Sequence, residues 1–292
     1  MQRKLIMWTK MGALAVAVLA LAGSAGAADI RYMNSGDWAT AAGWDGGVIP
    51  GLEDTARMNW GDNTVTVTTE VPVVGRVQIG VDEPGTLVIE SGGILTTSDA
   101  GSQNGRIYVG NNGAVTGTMI VKNGGVVNCP KILWITNGAD TTGVLTVETG
   151  GVINCGDHFW WGRRGIATVN IEGTITQTGG ILGLGTNNAL DTGADGGVCT
   201  VNINDGGLLA LNNIHGGITN GDGNYSIQPG STININGTGQ LTLPGDFVGV
   251  LEAYIAAGRF TGNGVADAVT VDLTTNPGFT TVLAVSSGDT TK

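Results

Sequence analysis

Residues 143–162, GVLTVETGGVINCGDHFWWG, constrain what this chain can fold into more than any other stretch. Three short apolar alternations, Leu145/Val147, Ile153/Cys155 and Phe159/Trp161, are separated by the turn signals Thr149-Gly150-Gly151 and Gly156-Asp157. A period of two places each pair on one face of a strand and the intervening residues on the other. Glycine supplies the positive φ that a sharp corner needs. Strands this short cannot bury an apolar face alone, so such a unit has to stack on copies of itself.

The copies are present. The first strand recurs as Val65/Val67, Leu87/Ile89, Met119/Val121, Leu145/Val147, Val169/Ile171, Val201/Ile203 and Ile233/Ile235, with starts 22, 32, 26, 24, 32 and 32 residues apart. A glycine corner and a second strand follow in SGGILTT, NGGVVNC, TGGVINC and DGGLLAL. A third strand gives Val77/Ile79, Ile107/Val109, Leu133/Ile135, Phe159/Trp161 and Leu182/Leu184. Fixed strands with excursions of variable length predict an all-β chain: a single-stranded parallel β-helix, or β-solenoid, over residues 64–245. Its roughly seven three-strand coils would rise ~4.8 Å each and coil right-handed by the general crossover preference.

The flanks read differently. Residues 28–63 carry Trp38, Trp44 and Trp60 with no clean alternation before Val65, which predicts an N-terminal cap whose tryptophans cover the first coil. Residues 246–292 predict a C-terminal cap. Its helix spans 247–260, with Val250, Leu251, Tyr254 and Ile255 on one face, and short strands follow at 269–273 and 281–285. Residues 1–27 read as a secretory signal peptide: Arg3, Lys4 and Lys10 precede an apolar run and an Ala25-Gly26-Ala27 cleavage site. That run is too short to span a bilayer, and no second one follows, so no membrane span is expected in the mature chain. The expected location is extracellular or cell-surface, with the periplasm as the other exported compartment.

Composition supports this reading. Glycine fills 52 of 292 positions without the strict period of collagen, and β-branched residues outnumber helix formers. All 24 acidic residues lie beyond the leader against 10 of the 13 Lys/Arg, so the mature charge is 10 − 24 = −14. Such a balance argues against nucleic acid and anionic membrane surfaces as partners.

The repeat in GTLVIESGGIL, GTMIVKNGGVV and GVLTVETGGVI resembles the β-helical repeats of autotransporter-type passenger domains and of large secreted repeat proteins of environmental bacteria. The stretch WATAAGWDGGVIPGLEDTARM followed by NTVTV is similar to the segment that opens many such chains. The resemblance implies an architecture and leaves function open among adhesins and matrix proteins. A C-terminal run of membrane-type strands is missing, which favours simple secretion over a self-contained autotransporter.

Stacking turns repeats into columns. In the third strands the outward residues are Gln78, Tyr108, Trp134, Trp160 and Gly183, preceded by Arg76, Arg106, Ile132 and His158. An exposed Tyr108–Trp134–Trp160 strip flanked by Arg106 and His158 is the candidate site for a glycan or a protein partner; packing under a loop or a second subunit is the other reading of the same column. Glu90, Lys122, Glu148, Glu172, Asn204 and Asn236 form a further column, read as structural although Glu148 and Glu172 have the carboxylate spacing of a retaining glycosidase. Asn170, Asn202 and Asn234 predict an asparagine ladder.

Cys129 and Cys155 fall at one repeat position on adjacent coils, within disulfide range, and either a bond or two thiols fits. No metal is expected, because Cys155 and His158 make only a C-x-x-H and zinc needs four ligands. Asn220, Asp222 and Asn224 lack the bidentate acid of a calcium loop. No nucleophile elbow, phosphate loop or dinucleotide fingerprint occurs, and no cofactor is implied. The expectation is therefore a secreted, non-catalytic structural, adhesive or matrix protein, prone to lateral self-association or to contact with an extracellular polysaccharide or cell-surface component. The alternative is a polysaccharide-binding or polysaccharide-cleaving β-helix working through the aromatic strip.

Overall fold

A computed structural model describes residues 27–101, 103–185, 197–215 and 226–285; the leader and the Asn220–Asn224 turn lie outside them. The described residues are mostly β, compatible with an all-β fold, and form three largely parallel sheets that stay separate and are joined through corners. The aromatic sheet holds Asp29–Arg31, Thr55–Met58, Arg76–Val81, Arg106–Asn112, Leu133–Ile135, Phe159–Trp161 and Leu182–Leu184, side by side in that order. The long sheet begins with Gly36–Asp37 and runs through Asn63–Val67, Gly85–Ile89, Thr116–Val121, Thr142–Val147, Ile166–Ile171, Val198–Ile203 and Thr232–Ile235 to Phe260–Gly262 and Val265–Ala266. The cysteine sheet holds Ile94–Thr96, Val126–Cys129, Val152–Cys155, Thr174–Gln177, Leu208–Ala210 and Gln240–Pro244, then two antiparallel strands, Phe279–Ala284 and Val269–Asp272. From Gly85–Ile89 to Leu182–Leu184 the chain visits long, cysteine and aromatic sheets in rotation.

The predicted pairs set the register. Val65, Leu87, Met119, Leu145, Val169, Val201 and Ile233 lie opposite one another on successive strands and are wholly buried. So are Val77, Ile107, Leu133, Phe159 and Leu182 in the aromatic sheet. With Leu95, Val127, Ile153, Ile175, Leu209 and Leu241 of the cysteine sheet they form one core. Burial of these side chains supplies the main driving force, since the strands have little stability alone. Where the chain enters the long sheet, Gly85, Gly117, Gly143, Ala167 and Cys199 make a column of small residues. A Cβ on Gly117 would meet the Gly110 amide nitrogen and sit 2.5 Å from the Ile79 carbonyl oxygen, so backbone occupies the space that a side chain would need.

Both flanks depart from expectation. The N-terminal segment already contributes Asp29–Arg31 and Thr55–Met58 to the aromatic sheet; the alternation was hidden because Ala56 and Met58 are its inward residues. Trp38 and Trp44 cover the core end, with ring centroids 4.8 Å apart and Trp44 Nε1 donating to the Trp38 carbonyl. Trp60 does not join them and is 43% exposed. At the other end the helix is shorter than predicted, Val248–Ala256, with Leu251 and Tyr254 buried. It stops in a Schellman motif: the Gly258 and Arg259 amides donate to the Ile255 and Tyr254 carbonyls, with Gly258 at φ +71°. Tyr254 Oη donates to the His215 carbonyl and accepts from the Ser226 amide, fixing both sides of the segment between them.

Candidate functional site

The aromatic column exists in the expected register. Gln78, Tyr108, Trp134, Trp160 and Gly183 are successive neighbours on the outer face of the aromatic sheet. Tyr108 and Trp134 stack with centroids 6.0 Å apart and planes 6° from parallel. Trp160 continues the stack at 6.3 Å, tilted by 45°.

The strip is not exposed, which corrects the expectation. Tyr108, Trp134 and Trp160 are only 7%, 8% and 5% exposed and form a cluster of their own, with Ile132 and Ile181 packed against it. The Arg163 guanidinium lies 5.6 Å from the Trp134 ring centroid, and the His158 ring is 4.8 Å from Trp160. Alternation reports which side of a sheet a residue takes, and here rings one strand apart cover each other's faces. A sugar needs such a face free to stack, so the three rings cannot act as the open platform that the sequence suggested.

The flanking polar residues serve the same packing. Arg106 Nη1 donates to Gln103 Oε1 at 2.8 Å and reaches Tyr108 Oη at 3.4 Å. His158 Nδ1 accepts the Ile181 amide at 3.0 Å. A nitrogen that accepts carries no proton, so the 3.4 Å approach of Asp157 Oδ1 to that atom is a close contact and not a charged bridge.

Cys129 and Cys155 are opposite one another as predicted, and each is a buried free thiol. Their Sγ atoms donate to the carbonyls of Gly105 and Lys131, at 3.3 and 3.0 Å. Burial, then the neighbouring Cys155, pushes the Cys129 thiol well up; burial does the same to Cys199. Thiolate, the reactive form, is thereby suppressed at both.

The remaining columns are hydrogen-bonded along part of their length. Lys122 Nζ meets Glu90 Oε1 at 2.8 Å, and Asn236 Nδ2 donates to Asn204 Oδ1. Asn202 donates to Asn170, whereas Asn234 turns away to bond Asn236, Thr261 and Gly264. A ladder that the sequence reading missed crosses the cysteine sheet: Asn154 donates to Asn128, which donates to Thr96. It floors a shallow groove of about 450 Å³ edged by Leu52 and Val73. Among the described residues no three His, Cys, Asp or Glu side chains converge as metal ligands, and no helix is long and apolar enough to cross a membrane.

The chain matches no protein-family model, no curated protein and no solved structure. Function has to be argued from the surface itself, where the central strands of two sheets carry columns of uncharged outward residues. In the long sheet Thr64, Thr86, Thr118, Val144, Thr168, Thr200 and Thr232 form one such column.

Proposed function

We propose that the chain is a secreted, single-stranded, right-handed parallel β-helix of about seven three-strand coils, working as a structural or adhesive protein of the cell surface or extracellular matrix. The observation that carries this is the rotation of the chain through three largely parallel sheets, in two of which the outward residues line up as columns of threonine, asparagine and valine. Such columns are uncharged stripes suited to lateral contact, and their polar groups are occupied with one another instead of converging on a reacting centre. The resemblance to autotransporter-type passenger repeats favours the same role. The alternative in which the aromatic strip binds or cleaves polysaccharide loses its support, because the rings are covered.

Cell fractionation followed by adhesion and light-scattering measurements on the purified exported protein tests the proposal. Export with binding to cells, matrix or its own copies is expected. A cytoplasmic protein, or an exported monomer that adheres to nothing, would overturn it.

A further inference from the structure

The aromatic sheet changes character below Tyr108. Its outer face carries Arg31, Arg57, Arg76 and Arg106 on four successive strands, in a chain of net charge −11. Arg31 lies opposite Arg57, and Arg76 opposite Arg106. Like charges directly opposite one another on a sheet are destabilising, and Arg106 is held by the Gln103 and Tyr108 oxygens. Asp29 pairs with Arg57 at 2.6 Å, while Arg76 bonds the neutral Thr55 hydroxyl.

Between Arg57 and Tyr108 in the same column sits Gln78, only 6% exposed, whose Oε1 is buried without a donor. Arg57 Nε likewise lacks an acceptor. Buried polar atoms are normally satisfied, so this strip has both an acceptor and a donor left for a ligand.

We propose that these arginines and Gln78 form a docking strip for a linear uronate-bearing polysaccharide. This rests on the adhesive reading above and gives it a ligand. Arg31 and Arg57 in one column, and Arg76 and Arg106 in the neighbouring one, make two guanidinium pairs, the members of each one strand (~4.8 Å) apart; such pairs suit a polymer that carries several carboxylates, taken in bidentate fashion. The Gln78 oxygen, buried beside the arginines and lacking a donor, calls for a hydroxyl donor, which a sugar ring supplies and a bare anion does not. The strip continues the covered Tyr108–Trp134–Trp160 column, so its upper end is a rigid stack rather than a mobile loop.

The test is retention of the purified protein on immobilised polygalacturonate, beside neutral dextran and dextran sulfate, with Arg76→Gln, Arg31→Gln and Gln78→Leu variants. Retention on polygalacturonate alone is expected, weakened about tenfold by each arginine substitution, as for a lost charged hydrogen bond. Gln78→Leu should weaken binding while leaving the melting temperature unchanged or higher, because an unsatisfied buried oxygen is removed. Unaltered retention in all three variants, or capture by dextran sulfate and not by polygalacturonate, would overturn the proposal. A protein that adheres to cells or to itself yet ignores polygalacturonate would refute this strip alone and leave the adhesive role standing.

Discussion

Replacing Trp134 by alanine is predicted to damage stability, not recognition. A tryptophan buries roughly 150–250 Å², and Trp134 is 8% exposed, so at about 25 cal/mol per Å² its removal forfeits about 4–6 kcal/mol. One term works the other way: Trp134 Nε1 is buried with no hydrogen-bond partner, and losing it recovers about 1–3 kcal/mol. The net loss of about 3 kcal/mol agrees with the low end of measured Trp→Ala costs, ~3–5 kcal/mol. Urea denaturation followed by far-UV circular dichroism reads it as a lower midpoint at unchanged slope. Trp134→Phe keeps a ring between Tyr108 and Trp160 and drops the orphan N–H, so it should cost less than about 1.5 kcal/mol. Trp60→Ala, at a 43% exposed position, should stay within about 0.5 kcal/mol. A Trp134→Ala protein as stable as wild type would refute the claim that the column is packing, and would return the strip to the surface.

Other substitutions probe other joints of the fold. Gly117→Ala drives a methyl into the Gly110 and Ile79 backbone and should cost about 1–3 kcal/mol by overpacking, whereas Ala167→Gly in the same column should cost about 0.5–1 kcal/mol; thermal melts separate the two. Tyr254→Phe strands the buried Ser226 amide and should cost about 1–3 kcal/mol, seen as a lower denaturation midpoint. All three cysteines, buried and free, should resist a thiol reagent in the native state and react fully in guanidinium; rapid native labelling would contradict their burial. The Thr275 amide leads the hydrogen bonds that hold the Asp272 carboxyl below its ordinary 3.8. A depressed folded value stabilises above the unfolded one and is lost as pH falls through it. Asp272→Asn should therefore be less stable than wild type at neutral pH, the gap closing on acidification below 3.8.

How much of this was legible depends on the range of the signal. Inward pairs such as Leu145/Val147 were readable because alternation is local, and lining up the repeats gave the register that puts Cys129 opposite Cys155. The covering of Tyr108, Trp134 and Trp160 was not readable, since an outward direction says nothing about how large neighbours lean on each other. Nor did alternation find Thr55–Met58, where small Ala56 takes a core position. Gln177 escaped too: it sits where an apolar residue is expected, donates to the Asp157 carbonyl and accepts from the Asn212 amide. The arginine strip was half visible, because Arg76 and Arg106 stood in the repeats while Arg31 and Arg57 lay in a segment read as a cap.

The small-residue column has a consequence for how such a chain can grow. Gly85, Gly117, Gly143 and Ala167 keep four successive passages into the long sheet narrow, whatever the length of the excursion before each. In the proposed β-helix, a duplicated unit that brings its own small residue and its own three strands would add one tier of fixed height. Unequal recombination between repeats would then change the molecule's reach in discrete steps while leaving its girth alone, a gauge set by copy number rather than by redesign of the core.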